Sequence, residues 1–117
     1  MTHDPVTFDI IQNAIEAIAD EMFVAQRKAS MSAIIYEVLD LSSSILDPVG
    51  DIAAAGAGIP AFIGVLDKAV KGILKKFPLE GVKPGEPAGS VRGAFPSLPP
   101  RADPGLACPV FADGRIV

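Results

Sequence analysis

Apolar residues return every third or fourth position from the start of the chain: Ile11, Ile15, Ile18, Met22, Ala25 and Ala29, with Ile10, Ala14, Ala17 and Val24 beside them. That spacing predicts an amphipathic helix with a wide apolar arc over residues 5–29. Asp4 and Pro5 supply a capping oxygen and a first-turn proline, while Arg27 and Lys28 suit the negative end of the helix dipole. A helix of this length runs about 37 Å, long enough to pack against more than one neighbour.

The pattern loosens after Ser30. Ile34, Ile35, Tyr36, Val38 and Leu41 fit the end of a helix, a loop or a short strand equally well. Two short runs, around Ser43–Ile45 and from Ile52 onward, then flank Asp47-Pro48-Val49-Gly50-Asp51. A proline, a glycine and two aspartates in such a linker predict a hairpin, with Gly50 at positive φ and both carboxylates bonded in the turn. Ala53–Ala57 is a poor strand former, and Gly56 and Gly58 are expected to end the second arm by turn chemistry. Pro60 opens a second helix, on which Phe62, Leu66, Ala69, Ile73 and Phe77 form a stripe, Lys75 and Lys76 favour the C-terminal end, and Pro78 stops it. Gly64 and Gly72 are costly inside a helix unless they permit close packing.

Residues 81–117 hold seven of the eleven prolines and show neither period until LACPVFADGRIV. There Asp113-Gly114 sits between Val110-Phe111 and Ile116-Val117, a hairpin whose second arm has hardly begun, as a truncated strand would leave it. The expected architecture is α+β: long N-terminal helix, short antiparallel hairpin, second helix, Pro/Gly-rich segment and partial C-terminal hairpin, a fragment of a larger mixed α/β subunit. Three segments follow: 4–80, helix-hairpin-helix; 81–107, irregular; 108–117, the start of a terminal hairpin.

Charge and composition narrow the function. A chain of 117 residues holds one modest core, and a net charge of -4 offers nucleic acid no basic field. Lys68, Lys71, Lys75 and Lys76 read as a solvated helix face. One cysteine excludes an internal disulfide and fits a reducing compartment. No apolar run approaches the roughly 18 residues of a membrane span, and the N-terminus is unlike a signal peptide, so a cytoplasmic protein is expected.

Chemistry-bearing residues are few. His3, the only histidine, lies in an N-terminus expected to be loose, and no zinc or phosphate-loop spacing occurs. Cys108, with no histidine near it in sequence, reads as a buried small apolar residue rather than a nucleophile. Glu37 and Asp40 are the carboxylates of interest. Three apart, they share a face if helical and oppose each other if extended, serving either as a solvated or ion-paired couple or in an active-site or subunit-contact role.

DPVTFDIIQNAIEAIADEM, SAIIYEVLDLSSSILDPVGDIAAAG, IPAFIGVLDKAV and VKPGE occur in an order and spacing that resemble the N-terminal portion of the hydantoinase B / 5-oxoprolinase family, over roughly residues 4–86. YEVLDLSSSILDPVG resembles that family's E-x-x-DFSxxLFDxxG stretch, and PVFADGRIV a later strand-turn-strand. The resemblance implies ATP-dependent opening of cyclic amides of the hydantoin or 5-oxoproline type. It implies a hydantoinase A-like subunit as partner in a hetero-oligomer, with ATP used through that partner and a divalent metal in the family. Related acetone and acetophenone carboxylases use the same subunit type. Where the family commonly reads HIPVH, this chain has Gly58-Ile59-Pro60-Ala61-Phe62; where it reads NDPY-x-GGTH-x-x-D, this chain has PAGSVRGAFPSLPPRADPG, from a shifted reading frame or genuine divergence. Tyr36 stands where the family usually has an arginine. No family metal ligand carries over, and no cofactor is expected to bind this chain. Glu37 and Asp40 do match, and the resemblance implies that they border or structure the active site. A chain inactive by itself, or a structural or interaction protein that kept the scaffold, are the alternatives to a catalytic subunit.

Overall fold

A computed structural model describes residues 4–77, 79–90 and 105–117. The expected N-terminal looseness at residues 1–3 and the stop at Pro78 lie outside the described residues. The chain divides into two units, Met1–Leu46 with Ile52–Leu66 and Asp47–Asp51 with Asp67–Val117.

Helix α1 spans Pro5–Ala29, as its periodicity predicts. Both carboxylate oxygens of Asp4 serve the cap, accepting from the backbone N–H of Val6 and of Thr7, and the Thr7 hydroxyl adds a bond of 3.0 Å. These partners satisfy donors that the helix cannot satisfy internally. Ser30 leaves the helix in an extended conformation (φ -76, ψ 137), and Arg27 and Lys28 occupy the last turn.

Strands β1 (Ser42–Leu46) and β2 (Ile52–Ala57) pair antiparallel, with Ser43 opposite Gly56, Ile45 opposite Ala54 and a register shift between Ile45 and Leu46. Gly56 does not end the second arm, contrary to the turn reading, because it lies inside β2 and is buried. A Cβ there would come within 2.9 Å of the Phe23 Cβ and 3.0 Å of the Ala19 carbonyl oxygen. Small residues make this a strand for a packing reason: they let α1 approach the hairpin more closely than branched side chains would. Ala19 and Ala54 are buried at the seam, and the buried Ser43 hydroxyl donates to the Ala19 carbonyl at 3.1 Å. The apolar seat of α1 is therefore narrower than the arc read from sequence. Ala19 is buried and Ile15 and Phe23 half-buried, whereas Ile11, Ile18 and Met22 stay exposed.

The segment left open by periodicity forms a single turn of helix, α2 (Ala33–Tyr36), followed by a reversal at Leu39. After Ala57, Pro60–Phe62 is a 3-10 turn that leads into α3 (Ile63–Lys76). Of the predicted stripe, Ile73 is fully buried and Phe62, Leu66, Ala69 and Phe77 are half-buried. Gly64 has no neighbour within 4 Å of where a Cβ would stand, so close packing does not explain it.

In the second unit, the 47–51 turn behaves largely as its residues predict. Gly50 has φ +90, the Asp47 N–H donates to the Asp51 carbonyl, and Asp47 Oδ1 accepts from the N–H of Val49 and Asp51. β3 (Gly89–Ser90) pairs antiparallel with β4 (Leu106–Ala107), and β5 (Phe111–Ala112) with β6 (Arg115–Ile116). Asp113 and Gly114 take φ +50 and +75, the two positive values that a tight hairpin of right-handed twist demands. No helix of the described residues is long and apolar enough to cross a membrane.

Candidate functional site

Glu37 and Asp40 sit on the two sides of an unusual bend. Glu37 is the C-cap of α2, exposed, its N–H donating to the Ala33 carbonyl at 2.9 Å. Leu39 then takes φ +61, a left-handed conformation that costs a large side chain free energy. Asp40, half-buried, donates its N–H to the Ile34 carbonyl at 3.1 Å before the chain enters β1. The pair is thus neither on one helix face nor alternating along a strand. Among the described residues no hydrogen bond or ion pair uses either carboxylate, which leaves both free to accept from a ligand or another polypeptide.

What holds the bend is Gly58. Its N–H donates to the Leu41 carbonyl at 3.2 Å, and a Cβ at this position would fall on the carbonyl oxygen of Leu39. Gly58 thus lies in close backbone contact with the chain's own YEVLD bend. The glycine is required because Leu39 turns its carbonyl toward it.

Arg27 is the residue that sequence reasoning placed only as a dipole partner. Its Nε donates to the Tyr36 carbonyl at 3.0 Å, joining the end of α1 to α2. Val24, Arg27, Lys28, Ser30 and Tyr36 line an open concavity of about 390 Å³ there. Two cations and two hydroxyls without a carboxylate give it the chemistry of a weak anion seat.

In the second unit, Lys71 departs from the solvated lysine face. Its Nζ lies 2.5 Å from Asp51 Oδ1 and 3.8 Å from Asp67 Oδ2. The Asp51 side chain thus bonds across to α3 rather than within its turn. Hydrogen bonding to Asp51 raises the Lys71 pKa above the ordinary lysine value; burial opposes it, and the charges of Asp51, Asp67 and Asp47 each add a smaller raise. A folded-state pKa above the unfolded one stabilises fully at pH below the unfolded lysine value, and that contribution is lost as pH rises through the folded one. Unfolding midpoints are therefore expected to fall as pH rises above the ordinary lysine pKa of about 10.4. Asp51→Asn should remove most of that fall and return the Lys71 titration, followed by NMR, toward ordinary lysine. An unchanged Lys71 titration in Asp51→Asn would show that the pair does not form in solution.

Cys108 is exposed rather than buried, a correction to its reading as a small core residue. The β3–β4 and β5–β6 pairs on either side of it are too short to build a layer over it. Among the described residues no group of three or more His, Cys, Asp or Glu side chains is placed to hold a metal ion, and His3 lies outside them.

The family model described as hydantoinase B/oxoprolinase matches residues 4–90, well over half the chain, and the protein belongs to that family. Two curated relatives match part of the chain. Caprolactamase subunit beta of Pseudomonas jessenii is 30% identical over 70 residues, 60% of this chain and 12% of that protein. An uncharacterized protein of Schizosaccharomyces pombe is 32% identical over 68 residues, 58% of this chain and 5% of that protein. The chain thus spans a small fraction of the length of the curated relatives it matches. No solved structure matches.

Proposed function

We propose that this chain serves in a hydantoinase B-type subunit that acts with a hydantoinase A-like partner to open cyclic amides, of the hydantoin, 5-oxoproline or lactam class, in the cytoplasm. The observation that carries the reading is the family match over residues 4–90, and a relative whose name denotes action on a lactam supports it. Ring opening breaks the amide C–N bond and adds water, leaving a carboxylate and an amine. Amide resonance makes that carbon a poor electrophile, and in this reading the partner subunit supplies the ATP-dependent activation that overcomes it. Glu37 and Asp40, held apart by the Leu39 bend, border the reacting centre and position or deprotonate the attacking water. In this reading the chain acts only together with its partner, whose ATP-dependent activation makes the ring carbonyl reactive.

A second reading, a subunit of an acetone- or acetophenone-type carboxylase, is favoured by one observation. Gly58-Ile59-Pro60-Ala61-Phe62 offers no imidazole where relatives have two, which costs a metal-assisted hydrolase more than a carboxylase. One assay separates these readings. The chain is purified with a hydantoinase A-like subunit and given ATP with hydantoin, 5-oxoproline or caprolactam, or with ketone and bicarbonate. Expected is ATP-dependent ring opening that falls about 100-fold or more in Asp40→Asn or Glu37→Gln. ATP hydrolysis that requires bicarbonate and a ketone overturns the hydrolase reading. Failure to associate with the partner at all leaves an interaction protein.

A further inference from the structure

The aspartates of this chain differ in how each side-chain carboxyl stands to the next backbone nitrogen. That relation matters because aspartate can isomerise without an enzyme. The following nitrogen attacks the side-chain carboxyl carbon, a five-membered imide forms and one water leaves. Water then reopens the ring at either carbonyl. One opening returns aspartate; the other leaves the chain running through the side-chain carbon, an isoaspartyl link. The attack needs a following N–H that is not already bonded and no side chain beside it. Asp4, Asp47 and Asp103 precede proline, whose nitrogen carries no hydrogen. Asp9, Asp20 and Asp67 lie in α1 and α3, where the helix holds the next N–H, and Asn13 lies in α1 as well. The N–H after Asp40 donates to the Leu39 carbonyl, and the Asp51 carboxylate is paired with Lys71. Asp113 is followed by Gly114, and both are exposed. Nothing lies within 4 Å of where a Gly114 Cβ would stand. Among the described residues no hydrogen bond or ion pair uses the Gly114 N–H or the Asp113 carboxylate.

We propose that Asp113-Gly114 is a modification site of this protein, at which aspartate converts through the imide to isoaspartate and opens the β5–β6 hairpin. Attack requires the peptide between the two residues to swing toward the carboxyl, and the hairpin resists this weakly. Its arms are joined by the pairs Phe111 with Ile116 and Ala112 with Arg115, and by a 2.9 Å bond from the Val117 N–H to the Val110 carbonyl. A two-stranded hairpin of this kind is marginal in water, so the turn opens often. Water leaves when the imide closes and returns when it opens, so no other reactant is needed. The product cannot close as before. An isoaspartyl link adds a methylene to the backbone of a two-residue turn that depends on φ +50 and +75 at consecutive positions. Both residue pairs then lose their register. The glycine that permits the tight turn is also what leaves its aspartate open to attack.

The test incubates the 117-residue chain at physiological temperature and near-neutral pH, beside a free peptide of residues 106–117. Both are then digested and sequenced by electron-transfer fragmentation, which separates aspartate from isoaspartate. Expected is a species lighter by one water, followed by isoaspartate at position 113, at a rate close to that of the free peptide. Conversion there should run several-fold ahead of every other aspartate. Nuclear Overhauser contacts between Phe111 and Ile116 should vanish from the isoaspartyl fraction. Gly114→Ala should slow conversion several-fold. Asp113→Glu, which would have to close a six-membered ring, should remove it, and this second variant keeps the test valid if the alanine disturbs the turn. A chain that is still aspartate at 113 when half of the free peptide has converted overturns the proposal. Equal conversion at another aspartate overturns it too, as does an isoaspartyl fraction that keeps the Phe111–Ile116 contact.

Discussion

Gly58→Ala is expected to abolish cooperative unfolding of the unit formed by α1, the β1–β2 strands and the start of α3. The added methyl would coincide with the Leu39 carbonyl oxygen and press on the Leu39 side chain. Backbone cannot swing aside as the end of a flexible side chain can, and Leu39 already sits at φ +61. Relieving the clash requires either opening the bend or breaking the bond from the Gly58 N–H to the Leu41 carbonyl, which joins the bend to the end of β2. Backbone displacement, lost packing and a broken hydrogen bond together place the cost at about 4 kcal/mol or more, a large part of the stability of a domain this size. Chemical denaturation followed by circular dichroism checks it. Gly64→Ala, the matched control, meets open space in α3 and should stabilise by a few tenths to about 1 kcal/mol. A wild-type denaturation curve from Gly58→Ala would mean that the Leu39 bend is not as described. The same variant should also lose any activity that depends on Glu37 and Asp40, since both flank the displaced residue.

Ile73→Ala is the second large effect, and it falls in the other unit. Ile73 is 1% exposed and is the largest fully buried side chain among the described residues. Its Cγ2, with the Phe77 ring, occupies the space beside Gly89 at the start of β3. Removing three carbons costs their transfer free energy plus that of any cavity left, about 2–5 kcal/mol. The strands opposite are two residues each. Amide exchange at Gly89 and Ala107 should therefore accelerate more in Ile73→Ala than exchange in β1 and β2. Equal protection in the variant would show that the β3–β4 pair does not depend on Ile73.

These two residues also mark how far the sequence could be read. Local rules sufficed where the determinant lies within a few positions. Asp4 and Pro5 set the start of α1, Asp47 through Asp51 set a turn with Gly50 at positive φ, and Asp113-Gly114 set another. Each depends on a backbone dihedral or a capping bond that neighbouring residues impose alone. The resemblance carried by YEVLDLSSSILDPVG, too, needed no coordinates.

Other features depended on partners remote in sequence. Gly56 reads as a strand breaker until Ala19 and Phe23, more than thirty residues earlier, require a strand with no side chain there. Arg27 reads as a dipole partner until α2 folds back to offer the Tyr36 carbonyl, and Lys71 as a solvated lysine until Asp51 approaches it. Cys108 reads as core because cysteine is usually buried, but nothing among the short strands around it forms a layer to bury it. Glu37 and Asp40 were legible as a pair, yet periodicity could not choose between helix and strand, and the structure contains neither arrangement. The sequence by itself determined helix starts, turns and family, because those follow from short-range sterics, hydrogen bonding and pattern. Only the tertiary structure decided which glycines are spacers and how the two carboxylates are set apart. The apolar arc of α1 shows the division most clearly: its width is written in the residue order, but which part is seated and which is left uncovered depends on how closely a hairpin of serine, alanine and glycine can approach it.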